Sequence, residues 1–216
     1  MYKATLEWPG EGVYDALAKV NDATTTADMQ LAIEVGAAVL GLDLTEYNEL
    51  IEDRKPSVSS DLLSNKPEEG YDLATLQEYF NAIVETRLVT QASMDKANNA
   101  TTAAELEGYV TMLLERFQAA SQVYTIHSGE ALTDKVSLLQ GLMDQYNALD
   151  EAGKTAVLDK VLDLRTSKYG GKFARSRYTT DAFKTALEAV EAALKAINGV
   201  EAGANYGQNE RKAMRQ

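Results

Sequence analysis

The pattern of apolar and polar positions predicts a chain that is helical almost throughout. After the first ten residues, apolar residues recur at spacings of three and four, which places them on one face of a helix. Met29, Ile33 and Leu40 follow this rule within a helix that we expect over 26–40. The same spacing predicts helices over 11–20, 44–53, 56–64, 72–97, 103–126, 132–148, 151–165 and 180–197.

The two ends of the chain depart from this pattern. Within 1–10, apolar residues alternate with their neighbours up to Trp8, and Pro-Gly follows, which predicts a short extended arm. Two roles for Trp8 stay open: an anchor on another subunit, or a side chain packed in the protein's own core. At the other end, glycines are expected to break the last helix and leave a polar tail over 199–216.

The most specific feature of the sequence is an internal repeat. VNDATTTADM at 20–29 matches ANNATTAAEL at 97–106, at an offset of 77 residues. Each segment contains Thr-x-x-acid, the pattern of a capping box at the start of a helix. The capping residues are Thr25 with Asp28 in the first segment, and Thr102 with Glu105 in the second.

Further matches extend the repeat along the chain. YN-x-L at 47–50 matches 146–149 at an offset of 99, and the closing helices match from Tyr71 and Tyr178 at an offset of 107. We therefore predict an all-α fold of two diverged copies of a helical unit that stack together. The expected divisions are an N-terminal arm and short helix at 1–19, a first unit at 20–96, a second unit with insertions at 97–198, and a C-terminal tail at 199–216.

These motifs resemble a known kind of module. N-x-A-T-T-x-x-[DE]-[ML], then G-L-D-L-x-x-Y-N-x-L, K-x-x-V and a closing helix, is similar to helical repeat modules of large surface proteins of Gram-positive bacilli and of their phages. LGLDLTEYNEL at 40–50 carries the resemblance best, and the second copy lacks G-L-D-L before Tyr146. The resemblance covers 20–190 loosely. Its motifs are caps and core positions, so it implies a helical scaffold and transfers no catalytic residue.

Composition excludes several kinds of site. Without cysteine, thiol catalysis and thiolate metal sites are impossible. His127 is the single histidine, so Ser-His-Asp and histidine-rich zinc sites are excluded unless it serves alone, and its place before Ser-Gly predicts a helix C-cap. The acidic stretch 43–53 lacks the central glycine of a calcium loop and is expected to be a solvated helix face. We expect no catalytic residue, metal or cofactor.

Charge is unevenly distributed along this acidic chain, whose formal net charge is -12. Residues 1–100 hold 18 acids and 7 bases, whereas 101–216 hold 15 acids and 14 bases. Residues 165–178, RTSKYGGKFARSRY, carry five cations and no acid, and we call them the basic segment. The candidate partner-binding residues are Arg165, Lys168, Tyr169, Lys172, Phe173, Arg175 and Arg177 in this segment, with Trp8 in the arm.

Four interpretations of the basic segment stay open. It contacts phosphates while Tyr169 and Phe173 stack on bases, or it binds an anion at the Gly170-Gly171 turn. Alternatively it docks on an acidic protein surface, or it is a solvated loop without a ligand. Five cations give only modest affinity for nucleic acid, which we do not expect as a partner. The acidic first half of another copy fits the cations more simply.

The resulting functional hypothesis is a non-enzymatic structural protein. MYKATLEWPG has no features of a secretion signal, and no stretch approaches 18 apolar residues, so a membrane partner is not expected. We expect an accessory virion component, on the capsid, connector or tail of a phage of Gram-positive bacteria. It would bind copies of itself or a capsid or tail protein, in the virion or in the host cytoplasm before assembly. The alternatives are a binding module of a bacterial surface layer and an intracellular protein that sequesters another protein.

Overall fold

The protein is mainly helical, which confirms the all-α prediction at that level. A computed structural model describes the backbone over 11–213 and side chains over 12–197. Trp8 and the predicted arm therefore lie outside the described residues. The elements in chain order are α1 Glu11–Asp22, α2 Thr26–Leu40, α3 Thr45–Glu49, a 3-10 helix Glu52–Arg54, α4 Lys55–Ser64, α5 Leu73–Asn99, α6 Ala103–Leu106, α7 Tyr109–Ala120, β1 Ile126–His127, β2 Glu130–Ala131, α8 Leu132–Asn147, α9 Glu151–Ser167 and α10 Ser176–Ala213.

Side-chain caps fix where several helices begin. The hydroxyl oxygen of Thr25 accepts the Asp28 amide at 3.1 Å at the start of α2. At the start of α6, Thr102 and Glu105 form a complete capping box. Asp150 caps α9 in the same manner. Each cap satisfies a backbone amide that has no partner inside its helix, a contribution of about 1 kcal/mol.

The single helix predicted over 103–126 is wrong. α6 ends at Leu106, and Gly108 has a φ of +81°, a conformation that glycine adopts without strain. α7 then ends at Ala120, and a two-stranded antiparallel hairpin follows, with Ile126 opposite Ala131. Ser128 and Gly129 both have positive φ, which suits the two-residue turn of such a hairpin.

The predicted end of the last helix is also wrong. α10 runs from Ser176 to Ala213 and continues through the glycines at 199, 203 and 207. A glycine in a helix costs about 1 kcal/mol relative to alanine, but it keeps its backbone hydrogen bond and need not end the helix. None of the described helices is both long and apolar enough to cross a membrane.

Backbone contacts divide the chain into two compact units. Unit 1 comprises residues 1–93 and 111–139, and unit 2 comprises residues 94–110 and 140–216. The boundaries fall inside α5, α7 and α8. The divisions expected from the repeat stay a prediction.

Each unit has its own apolar core. In unit 1, Tyr47 packs against Phe80 with ring centroids 5.9 Å apart, and in unit 2 Phe183 contacts Tyr109 and Tyr146 at 6.0 and 5.3 Å. Full burial of a large apolar side chain contributes about 1.5–3 kcal/mol. Core residues of unit 1 include Val20, Ile33, Leu40, Val58, Leu62, Leu76 and Ile83, and those of unit 2 include Leu106, Val157, Val161, Phe173, Ala186 and Leu187.

Candidate functional site

The basic segment lies entirely in unit 2. It covers the last turn of α9, the connecting loop and the first turn of α10. Two of its predicted partner-binding residues, Arg165 and Phe173, face into the unit, and the other five lie at its surface. The segment therefore has an inner, structural part and an outer part that is open to a ligand.

Asn98 and Arg165 anchor the segment to the end of α5. The Asn98 side chain donates to the Phe173 carbonyl at 3.1 Å and accepts the Phe173 amide at 2.7 Å. Arg165 donates to the carbonyls of Ala97, Asn98 and Ala100 at 2.8, 2.9 and 2.8 Å. Because the Phe173 side chain is fully buried, it cannot stack on the base of a nucleic acid. Arg165 and Phe173 thus hold the loop in place.

The outer part of the segment contains a stacked pair of tyrosines. The rings of Tyr169 and Tyr178 lie 5.2 Å apart with an interplanar angle of 27°, and both side chains are half-buried. Tyr169 also contacts the buried ring of Phe173 at 5.1 Å. The stacked pair is therefore packed against the core of unit 2 through the contact between Tyr169 and Phe173.

Cations surround the tyrosine pair. Lys168 Nζ lies over the Tyr169 ring, 5.4 Å from its centroid, and the Arg177 guanidinium lies over the Tyr178 ring at 5.2 Å. A hydrogen bond and the positive charge of Arg177 lower the pKa of the Tyr178 phenol. We call this group the tyrosine–cation surface. Its members are Tyr169, Tyr178, Lys168, Lys172, Arg175 and Arg177, and all four cations are exposed.

The glycine turn within the segment serves the backbone. Gly170 and Gly171 have φ values of +68° and +92°, and a Cβ atom at either position would meet nothing within 4 Å. Glycine is therefore needed at these positions for its backbone conformation, and not because another atom approaches closely. The Gly171 amide donates to the Arg165 carbonyl at 2.8 Å, so it is already engaged within the chain. This contact counts against anion binding at that amide.

Unit 1 contains a polar arrangement of the same kind before α5. The Asn21 side chain donates to the Tyr71 carbonyl at 3.0 Å and accepts the Tyr71 amide at 2.7 Å. Lys66 donates to the carbonyls of Asn21 and Ala23 at 2.7 and 2.9 Å. The loop here carries Glu68 and Glu69, so it has no counterpart of the exposed cations.

A second group of ionisable residues lies buried in unit 1. Asp61 of α4 accepts from Arg87 of α5 at 2.5 Å and lies 2.9 Å from His127 Nδ1. Its other oxygen accepts the Ser128 amide at 2.9 Å. The prediction of a helix C-cap for His127 is wrong, because this residue lies on β1, and its Nδ1 is also 3.1 Å from the Tyr124 hydroxyl.

Burial and the contacts within the cluster together set the ionisation of Asp61 and His127. The pKa of His127 is lowered by desolvation and by the Arg87 charge, against the opposing effect of Asp61. Burial raises the pKa of Asp61, but the hydrogen bond from His127 and the charge of Arg87 outweigh it, and the net pKa is low. Asp61 is 0% exposed and His127 2%, so the cluster has no surface for a substrate. It fastens the hairpin to α4 and α5.

Comparison with known proteins gives one informative result. No protein-family model matches the chain, and no solved structure matches it. The chain is similar to gellan lyase from a Bacillus species. The two sequences are 28% identical over 157 residues, which cover 72% of this chain and 6% of gellan lyase. The chain thus corresponds to a small part of a much longer protein.

The similarity to gellan lyase corrects the functional prediction. The hypotheses of a phage structural protein and of a non-enzymatic protein are contradicted, because the matching curated protein is an enzyme. No finding supports a virion location. The functional prediction relied on the absence of a catalytic motif, and that absence does not exclude similarity to part of an enzyme.

Sequence reasoning also missed the buried cluster. One signal was present: Asp61 stands three residues after Val58 and next to Leu62, on the apolar face of α4. An acid in such a position needs a buried partner. The identity of that partner was not accessible, since Arg87 and His127 are 26 and 66 residues away in the chain.

Proposed function

We propose that this chain is a helical module of a polysaccharide-degrading enzyme of the gellan lyase kind, and that it engages the acidic polysaccharide on which such an enzyme acts. The observation that carries the proposal is the similarity to gellan lyase, which extends over 72% of this chain. Because the match covers only 6% of gellan lyase, the proposed role is a contribution to substrate binding within a larger protein.

The proposal includes an internal duplication of the module, as the sequence repeat suggested. It is supported by the two asparagine arrangements, in which Asn21 and Asn98 each bridge the amide and carbonyl of one later residue. Lys66 and Arg165 complete the two sets by capping nearby carbonyls. In this alignment Tyr71 corresponds to Phe173 at an offset of 102 residues, in place of the offset of 107 expected from Tyr178.

The charges restrict where an acidic polysaccharide can bind. The carboxylates of an acidic polysaccharide would be repelled by the acid-rich residues 1–100. The basic segment has the opposite charge, with four exposed cations and no acid, and could attract such carboxylates. A module of this composition would hold the polysaccharide at one place and stay free of it elsewhere.

An acidic protein surface is a second candidate partner for the basic segment. The imbalance of 18 acids and 7 bases in residues 1–100 favours another copy of the chain as that partner. Light scattering at increasing protein concentration tests this candidate. A salt-sensitive rise in mass would support it, and a constant monomer mass would exclude it.

Replacement within gellan lyase tests the proposed function. The matching segment of the Bacillus enzyme is deleted in one variant and replaced by this chain in a second, and rates are followed by the ultraviolet absorbance of the unsaturated ends that elimination produces. We expect deletion to raise KM with kcat nearly unchanged, because uniform binding is lost, and we expect this chain to restore KM. An unchanged KM after deletion would contradict the proposal.

A further inference from the structure

We propose that the tyrosine–cation surface is a binding site for the carboxylates of an acidic saccharide. This inference rests on the proposed function and names the site and the ligand chemistry. The four exposed cations would bind uronic acid carboxylates, and the tyrosine hydroxyls would exchange hydrogen bonds with sugar hydroxyls.

Three cations of this surface have no acidic partner among the described residues. No carboxylate lies within ion-pair distance of Lys168, Lys172 or Arg175 among the described residues. Elsewhere in the described chain, Lys154 pairs with Glu151 and Lys195 with Glu191. Positive charge that is concentrated in one place without compensation attracts anionic ligands.

The tyrosine pair holds two of the cations in place. Lys168 lies over the Tyr169 ring and Arg177 over the Tyr178 ring, so each ring of the stacked pair contacts one cation. A cation–π contact at an exposed site contributes about 0.5–1 kcal/mol, enough to favour one position of a long side chain. Less side-chain entropy is then lost when a carboxylate binds.

The loop beneath these side chains is also preorganised. Phe173 is buried against Tyr169, and the Asn98 side chain fixes its backbone through two hydrogen bonds. Arg165 secures the end of α9 to the end of α5. Lys172 and Arg175 therefore project from a loop that the core of unit 2 holds in place, and Lys168 and Arg177 lie at the two ends of this loop.

The same geometry favours a carboxylate over a nucleobase. A base would need a free ring face, but Tyr169 and Tyr178 cover each other, and their partner cations lie over the rings. Phe173, the third ring of the segment, is buried. Carboxylate binding requires only the cations, which are exposed. The similarity to gellan lyase is the reason to propose that the carboxylates belong to a saccharide.

The test uses gellan oligosaccharides and charge-reversal variants of the full chain. K172E/R175E reverses two exposed cations that make no cation–π contact with either tyrosine ring, and K160E/K184E makes the same charge change at exposed positions elsewhere in unit 2. Isothermal titration calorimetry measures affinity, and circular dichroism checks the fold. We expect K172E/R175E to weaken binding at least about tenfold, and K160E/K184E to change it less than about threefold.

Y169A/Y178A distinguishes this site from a general charge effect, because it should change the affinity without changing the net charge. It keeps every cation but removes the rings that order Lys168 and Arg177, so we expect binding several-fold weaker than wild type with unchanged net charge. Y178F, which keeps the ring and loses only the hydroxyl, should retain more affinity than the double alanine variant.

The outcomes separate this site from the proposed function. Wild-type binding that survives K172E/R175E, or that K160E/K184E weakens equally, would overturn the site and leave the proposed function standing. No binding of gellan oligosaccharide by the wild-type chain would overturn the proposed function itself. Tighter binding of single-stranded RNA or polyglutamate than of gellan oligosaccharide would overturn the saccharide assignment.

Discussion

Removing the negative charge of Asp61 should destabilise unit 1 strongly. Asn at this position keeps the shape of the side chain and an oxygen that accepts the Ser128 amide, but it leaves the Arg87 guanidinium without a counter-charge. The Arg87 side chain is only 8% exposed, so water cannot replace the lost carboxylate. Breaking a buried ion pair by removing one partner costs about 3–5 kcal/mol. We expect D61N to lie at the lower end, since the neutral amide retains a hydrogen bond.

A surface ion pair provides the matched control. Glu52 pairs with Lys55 at 2.8 Å, and the Glu52 side chain is 84% exposed. E52Q makes the same chemical change as D61N, and its effect on the free energy of unfolding should stay below about 1 kcal/mol. The difference between the two variants isolates the contribution of burial.

The assay must report on unit 1 separately from unit 2. Urea denaturation gives the free energy of unfolding, and hydrogen exchange followed by mass spectrometry assigns the loss to peptides of α4 and α5. We expect D61N to speed exchange in these peptides and to leave α9 and α10 unchanged. A D61N variant within about 1 kcal/mol of wild type, like E52Q, would refute the view that the buried cluster stabilises unit 1.

Three further predictions concern ionisation and backbone conformation. The pKa of His127 is lowered in the folded state, so the unfolded chain takes up this proton at a higher pH than the folded chain. Unit 1 should therefore lose stability as the pH falls below about 6.5. The urea unfolding midpoint of H127Q should change less between about pH 7 and pH 5 than that of the wild type. N98A and N21A each remove two hydrogen bonds to backbone groups and should each lower the free energy of unfolding by about 1–3 kcal/mol. The amide that the asparagine accepts should exchange faster, in unit 2 for N98A and in unit 1 for N21A. Unchanged exchange in either variant would refute the matched roles of the two asparagines. G141A should stabilise α8 by about 0.5–1 kcal/mol, whereas G170A should destabilise the loop by about 1–2 kcal/mol, because only the second forces an alanine to positive φ; equal shifts in thermal midpoint would contradict this.

Apolar spacing predicted the helices well because the buried faces set that spacing. Leu106, Val110, Leu113 and Phe117 keep alternating spacings of four and three, and all four are buried. The spacing could not reveal the interruption at Gly108, since the positive φ there leaves the apolar positions on the inner side. Local composition was equally uninformative about α10, whose glycines neither cap nor end it.

Composition located the candidate site but could not separate its inner from its outer residues. Arg165 and Lys168 look alike in the sequence, yet Arg165 caps carbonyls near Asn98 while Lys168 is exposed. The contact that decides this joins residues 67 positions apart. The stacking of Tyr169 on Tyr178 likewise depends on the fold of the loop, and the sequence did not indicate it.

Binding of this chain to gellan is the most direct test of the account. In native affinity electrophoresis, the chain is run through gels that contain gellan or the neutral polysaccharide dextran, at low and at physiological salt. We predict slower migration only in gellan, with the retardation reduced by salt because carboxylate–cation contacts are screened. Equal mobility in the two gels at low salt would contradict the claim that this chain engages an acidic polysaccharide.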